Sequence, residues 1–206
     1  GTANKLVELL GHRLHVAHTP HRYCTTDRYE HGVRQMRVLG ACHNCCKEQA
    51  LYFYNDILRI PTYIVRSVEV AELCKTVENA HRFLEIAFAE EMKMVCDNIG
   101  VDFDDLREAV NTKWNVQMHR ALEGIGGHCL PKDTRMVSEI NRKYINSSLL
   151  VAAQKVDWQY RVLKGNPLPV YADLLEPVID TGEKPSNSKK EPGLQNANYT
   201  QASSHR

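Results

Sequence analysis

An α/β segment followed by an all-α segment is the architecture that this 206-residue sequence predicts. Three observations carry that expectation. Short strand-like runs alternate with helical periodicity up to about residue 66. A single apolar stripe at helical spacing then runs without a proline from Val68 to Ile99. From roughly Gly182 the chain turns polar, through Lys184-Pro185-Ser186-Asn187-Ser188-Lys189-Lys190-Glu191-Pro192, and reads as a disordered tail. The expected organisation is therefore residues 1–66, residues 67–163, and a linker with tail over 164–206.

The elements follow in order. Asn4 to Leu10 reads as a short amphipathic helix, and Arg13 to Thr19 as a strand closed by Pro20. Arg37 to Gly40 is a second strand. Glu48 to Leu58 places Leu51, Tyr54, Ile57 and Leu58 at helical spacing. Pro61 to Val65 is a third short strand, and this alternation predicts α/β units with a parallel sheet. In the long helix, Leu73, Val77, Ala80, Leu84, Ala87, Phe88 and Met92 form the stripe, and Gly100 is the expected stop. Asp102 is placed to cap a helix from Phe103 to Val110. Further helices are expected from Thr134 to Lys143 and from Ser147 to Val162.

Composition narrows the function classes. The chain is 43% hydrophobic and 25% charged, with a formal net charge of +1. That balance gives no broad basic surface, so nucleic acid is not an expected partner. No apolar run approaches the ~18–20 residues of a membrane span, and no secretory signal is visible. The seven cysteines are odd in number and scattered, which fits a reducing, cytoplasmic setting better than a disulfide framework. The sequence opens at Gly1-Thr2-Ala3 and reads as a fragment.

Cys42-His43-Asn44-Cys45-Cys46 has zinc-ligand residue types but no second ligand pair at metal spacing. A helix start after a strand is the preferred reading. His12, His15, His18 and His21 recur every three residues on a strand-like run, where successive members face opposite ways. No metal is expected from either motif.

The densest chemistry lies in Gly124-Ile125-Gly126-Gly127-His128-Cys129-Leu130-Pro131-Lys132-Asp133. Glycines let a backbone approach a ligand closely, and a thiolate in an electropositive loop is a good nucleophile. The run reads either as a covalent catalytic centre or as a loop around a structural cysteine. On the long helix, Lys75 and Asn79 are spaced i, i+4 and share one face, with Glu72 and Arg82 near it. A lysine and an amide aimed together can hold an oxygen as it gains negative charge. An ordinary solvated helix face is the alternative.

Ala71-Glu72-Leu73-Cys74-Lys75-Thr76-Val77-Glu78-Asn79-Ala80-His81-Arg82-Phe83, then Glu90-Glu91, then Gly126-Gly127-His128-Cys129-Leu130-Pro131-Lys132-Asp133, together resemble the nucleotide-sugar 6-dehydrogenases. These oxidise UDP-glucose, GDP-mannose or UDP-N-acetylmannosamine. Thr19-Pro20-His21-Arg22-Tyr23 falls where that family has a proline-acid-arginine turn. The resemblance covers about residues 1–163.

It implies the C-terminal part of a Rossmann-like NAD-binding domain, followed by a long-helix central dimerisation domain and a homodimer. It implies oxidation of a sugar primary alcohol to a carboxylate with NAD. Cys129 would attack the aldehyde intermediate and later carry a thioester. Lys75 and Asn79 would stabilise the oxyanion or position water, and Asp133 would assist proton transfer. Gly126 and Gly127 would admit the sugar. Arg22, Tyr23 and Arg82 match positions that contact the nucleotide sugar.

Three departures accompany the resemblance. The acidic residue after the proline is replaced by His21, which can also act as a base near neutral pH. The His128-Cys129 pair leans toward the N-acetylmannosamine branch, whereas Lys113 and Asn115 stand where that branch carries histidine and arginine, so a UDP-glucose type of substrate stays open. The dinucleotide fingerprint Gly-x-Gly-x-x-Gly is not found in the sequence, so this chain alone is not expected to bind NAD with useful affinity. A non-catalytic dimerisation remnant is the second reading. A hydroxyacid dehydrogenase is the third, and Cys129 argues against it because simple alcohol oxidation needs no thiol.

Overall fold

Residues 1–22, 29–145 and 148–166 are described by the computed structural model, apart from the side chain of His12. They all lie within one unit, Gly1–Glu176. Tyr23 and the polar tail fall outside the described residues.

The first part is small and built on three strands. Helix α1 spans Thr2–Leu10 and a tight 3₁₀ turn follows at Gly11–Arg13. Strand β1 is only Ala17–His18, much shorter than the expected run from Arg13 to Thr19. The turn at Gly11–Arg13 consumes the start of that run, and Pro20 ends it. Strand β2 spans Arg37–Ala41, with Val38, Leu39 and Gly40 buried. Helix α2 covers Asn44–Leu51 and continues as a wider π-type turn over Tyr52–Ile57. The expected helix from Glu48 to Leu58 therefore begins four residues earlier, directly after β2. Strand β3 spans Thr62–Ile64.

The sheet order is β1-β2-β3. β2 and β3 pair in parallel across α2, as the alternation predicts, with Val38 opposite Tyr63. β1 runs antiparallel to β2, with Ala17 opposite Ala41. The sheet is thus mixed, a correction to the all-parallel expectation. Strand direction at an edge is fixed by long-range pairing that the local pattern does not encode.

Helix α3 spans Val68–Ile99 and dominates the molecule. Ser67 caps its N-terminus, accepting a hydrogen bond from the Val70 N–H at 3.5 Å. Gly100 ends it in the left-handed conformation, φ 74°. Asp102 then accepts from the Asp105 N–H at 2.8 Å and starts α4, Phe103–Asn111. Helix α5 covers Cys129–Asn141 and α6 covers Leu149–Leu163.

α3 packs against β2 near its start and against α5 and α6 further on. Phe83 and Ala87 are buried with Ile125 and Ala153, and Leu84, Leu130 and Val156 close that cluster. Ala89 and Cys96 are buried with Phe103 and Met118, and Met92 packs there. Leu84 and Met92 therefore find cover within the chain. Val70, Leu73, Val77, Phe88, Val95 and Ile99 stay exposed along one face of α3. At about 100° per residue, Lys75 and Asn79 lie roughly 160° from Val77, on the opposite side of the helix.

Candidate active site

The glycine-cysteine segment joins a loop to a helix rather than forming a loop throughout. Cys129 is the first residue of α5, five residues before the expected start at Thr134. Pro131 does not prevent this. In a first helical turn its missing N–H has no intrahelical acceptor to lose. The consequence is chemical: the leading N–H groups of a helix are free to meet an anion, and the helix dipole favours negative charge there.

Asp133 lies one turn after Cys129 on α5, so the two share a face. Asp133 is buried, at 2% exposure, although Cys129 and Lys132 are exposed. Its carboxylate accepts from the Asn79 side-chain amide at 2.5 Å, which ties α3 to α5. Lys132 forms an ion pair with the other oxygen of the same carboxylate. Lys75 stands one turn before Asn79 and is half-buried. The two sequence motifs thus meet at Asn79 and Asp133, with Cys129 and Lys75 each one helical turn from the junction.

The loop before Cys129 is held from below by groups that sequence reasoning missed. Asp157 and Arg161, i, i+4 on α6, form an ion pair with both members almost fully buried. Asp157 accepts from the Ile125 N–H at 2.8 Å, and the Arg161 guanidinium donates to the Ile125 carbonyl at 2.5 Å. The Tyr160 hydroxyl donates to the Leu122 carbonyl at 2.8 Å. Burial pushes Tyr160 up to about 12, so it stays a donor. A Cβ on Gly124 would stand 2.5 Å from the Arg161 side chain, at φ 96°. Only glycine fits there.

Gly126 and Gly127 have open space around them, and both are exposed. Gly127 has φ 80°, a conformation that side chains rarely adopt.

Glu90 completes the buried cluster. It is fully buried, and its carboxyl group stands beside that of Asp157. Burial first, and then the neighbouring Asp157 carboxylate, raise Glu90 to about 8, against the pull of Arg161. A neutral Glu90 beside one Asp157–Arg161 pair avoids two buried anions.

The remaining expected residues are dispersed around this junction. Arg22 makes a two-point ion pair with Glu78, at 2.7 and 2.9 Å, next to Asn79 in sequence. Its guanidinium is thereby brought to α3 but already matched by a carboxylate. Glu72 accepts from the Ala3 N–H at 2.8 Å and so anchors α1. Arg82 and His21 are exposed.

At the carboxyl ends of β2 and β3 a cavity of about 500 Å³ is lined by Ala41, Cys42, His43, Asn44, Lys47, Ile64, Val65 and Arg66. Open α/β sheets hold ligands at this end of their strands. No described helix is long and apolar enough to cross a membrane.

Residues 69–158 match the central domain of the UDP-glucose/GDP-mannose dehydrogenase family. An NDP-N-acetyl-D-galactosaminuronic acid dehydrogenase of Ralstonia nicotianae is 36% identical over 120 residues, 58% of this chain and 28% of that protein. A UDP-N-acetyl-D-mannosamine dehydrogenase of Methanococcus vannielii is 30% identical over 149 residues, 71% of this chain and 35% of that protein. The solved UDP-D-ManNAc dehydrogenase of Pyrococcus horikoshii superposes with a TM-score of 0.69 at 26% identity, over 79% of this chain and 40% of that one. The chain thus spans about a third of the length of the curated relatives it matches.

Proposed function

Because residues 69–158 belong to the UDP-glucose/GDP-mannose dehydrogenase family as its central domain, we propose that this chain supplies the thiol centre of an NAD-dependent nucleotide-sugar 6-dehydrogenase. The substrate is a UDP-sugar of the N-acetylmannosamine or glucose type. The observation that supports this reading is the Asn79–Asp133 hydrogen bond, which joins the α3 motif to the α5 motif with Cys129 one turn away.

The residues divide the work as follows. The exposed Cys129 thiol adds to the C6 aldehyde of the bound sugar and gives a thiohemiacetal. The free N–H groups at the start of α5 and the Lys75 ammonium face the oxygen that carries the new negative charge. Oxidation of this adduct leaves a thioester on Cys129. Water then attacks the thioester carbon, releasing the carboxylate and returning the thiol. Asn79 holds the Asp133 carboxylate, which takes the proton from that water directly or through Lys75. Gly126 and Gly127 leave room for the sugar, Arg82 supplies an exposed guanidinium for its pyrophosphate, and Arg22 does so by exchanging Glu78 for a phosphate oxygen.

When bound, NAD would supply the oxidant for both oxidation steps. Ala41, Cys42, Asn44, Lys47 and Arg66, around the cavity at the strand ends, would hold part of it. The glycine fingerprint that cradles its pyrophosphate is not found in the 206 residues.

The exposed apolar face of α3 supports homodimer formation, since a second copy can cover it with two-fold symmetry. That face also supports the second reading, a non-catalytic dimerisation module. Cys129→Ser in a complete enzyme containing this segment separates the two. The variant is expected to keep its fold and lose carboxylate formation, and unchanged acid production would refute the catalytic assignment.

A further inference from the structure

His15, Cys45 and Cys46, to which the proposed reaction gives no part, come together in the fold. Residues 14–16 lead into β1, and the Cys42 N–H donates to the Val16 carbonyl at 3.3 Å. That bond brings His15 to the turn that opens α2. Its imidazole, the Cys45 thiol and the Cys46 thiol then lie within 4.8 Å of one another. His15 and Cys45 are exposed, so an ion can reach the group, while Cys46 is buried at 3%.

From this cluster we propose a zinc site with His15, Cys45 and Cys46 as protein ligands and water in the fourth position. The donor set decides the class of metal. Two thiolates and an imidazole suit zinc and do not suit magnesium or calcium, which take oxygen ligands. Donors at about 2.0–2.3 Å from a tetrahedral ion stand roughly 3.5–3.8 Å apart. Binding requires the three side chains to close from 4.8 Å or less to that spacing by rotation about their χ angles. Cys45 and Cys46 occupy the first turn of α2. His43, at the cap position, makes no side-chain capping bond to that turn. The Cys42 thiol donates to Asn4 Oδ1 at 3.8 Å.

The bound ion clips the two-residue strand β1 to α2. A short edge strand has few hydrogen bonds of its own, so a metal cross-link there fixes the edge of the sheet.

The test uses the full 206-residue chain, reduced and stripped of metal. Zn²⁺ is titrated calorimetrically, and Co²⁺ is titrated as a spectroscopic probe. One equivalent is expected to bind, and cobalt is expected to show sulfur-to-metal charge transfer with the visible bands of a tetrahedral site. His15→Ala and Cys45→Ser change exposed residues and are expected to stay folded by circular dichroism. Each is expected to weaken binding by at least about a hundredfold, beyond the loss typical of a supporting residue. Cys129→Ser is expected to bind as the unaltered chain does. Absence of stoichiometric binding overturns the site. So does equal binding by His15→Ala and Cys45→Ser, or loss of binding in Cys129→Ser alone.

Discussion

Arg161→Leu is the sharpest perturbation of the scaffold under the loop that precedes Cys129. Arg161 is 3% exposed, and its guanidinium bonds both Asp157 oxygens, at 3.2 Å each, and the Ile125 carbonyl. Leucine keeps much of the apolar stem and removes the cation. Asp157 is then left at 0% exposure with the Ile125 N–H and the Glu90 carboxyl beside it. Removing one partner of a buried ion pair costs about 3–5 kcal/mol. The Ile125 carbonyl loses its donor as well, at about 1–3 kcal/mol if water cannot replace it. The two costs share one site and do not add fully, so about 4 kcal/mol is expected near neutral pH. Replacing both members, as Asp157→Leu with Arg161→Leu, removes the charges together and is expected to recover at least half of that loss. Urea unfolding of the single and double variants measures both values. A loss below about 1 kcal/mol for Arg161→Leu, or a double variant no better than the single, would show that this pair does not carry the loop.

Other expectations follow from the same geometry. Glu90 is raised, so its neutral form is favoured in the folded chain. Stability should therefore fall as pH rises from about 4.5 toward about 8 and then level off. Glu90→Gln should flatten that decline in urea midpoints measured across the range, and an unchanged slope would exonerate Glu90. Phe88→Glu with Leu73→Glu places charge on the exposed face of α3. Light scattering should then report a monomer where the unaltered chain is a dimer; an unaltered chain that is monomeric at tens of micromolar refutes the proposed interface. Calorimetry of the chain with NAD is expected to show no micromolar binding, and such binding would show that the cavity beside β2 and β3 suffices without the glycine fingerprint.

The sequence revealed the helices better than the sheet, for physical reasons. α3 carries its apolar spacing, a serine cap and a glycine stop within one continuous stretch, so its bounds follow from local rules. β1 depends on a partner strand elsewhere in the chain, and neither its two-residue length nor its direction is written locally. α5 starts before the expected Thr134 because a first helical turn tolerates Pro131, which the sequence pattern does not distinguish from a proline in a loop. Lys75, Asn79, Cys129 and Asp133 stood out by residue type and family resemblance. Spacing alone could not join them, since Asn79 and Asp133 meet only when α3 packs on α5. Asp157 and Arg161 were visible as an i, i+4 pair of the kind that usually lies on a solvated face. Their burial beneath the loop appears only once α6 is in place. His15 and the Cys45-Cys46 pair were each incomplete as metal motifs, and pairing of β1 with β2 supplied the missing proximity.

The central claim is that Cys129 becomes acylated by the sugar. The direct measurement is acid quenching of a complete enzyme containing this segment, during turnover with the UDP-sugar and NAD, followed by peptide mass analysis. Asp133→Asn should slow the hydrolytic step and let the adduct accumulate. The expected result is a uronyl thioester on the peptide that contains Cys129, present with substrate and NAD together and missing when either is left out. Continued acid production with the Cys129 peptide unmodified throughout, and with Cys129→Ser equally active, would contradict the proposed chemistry.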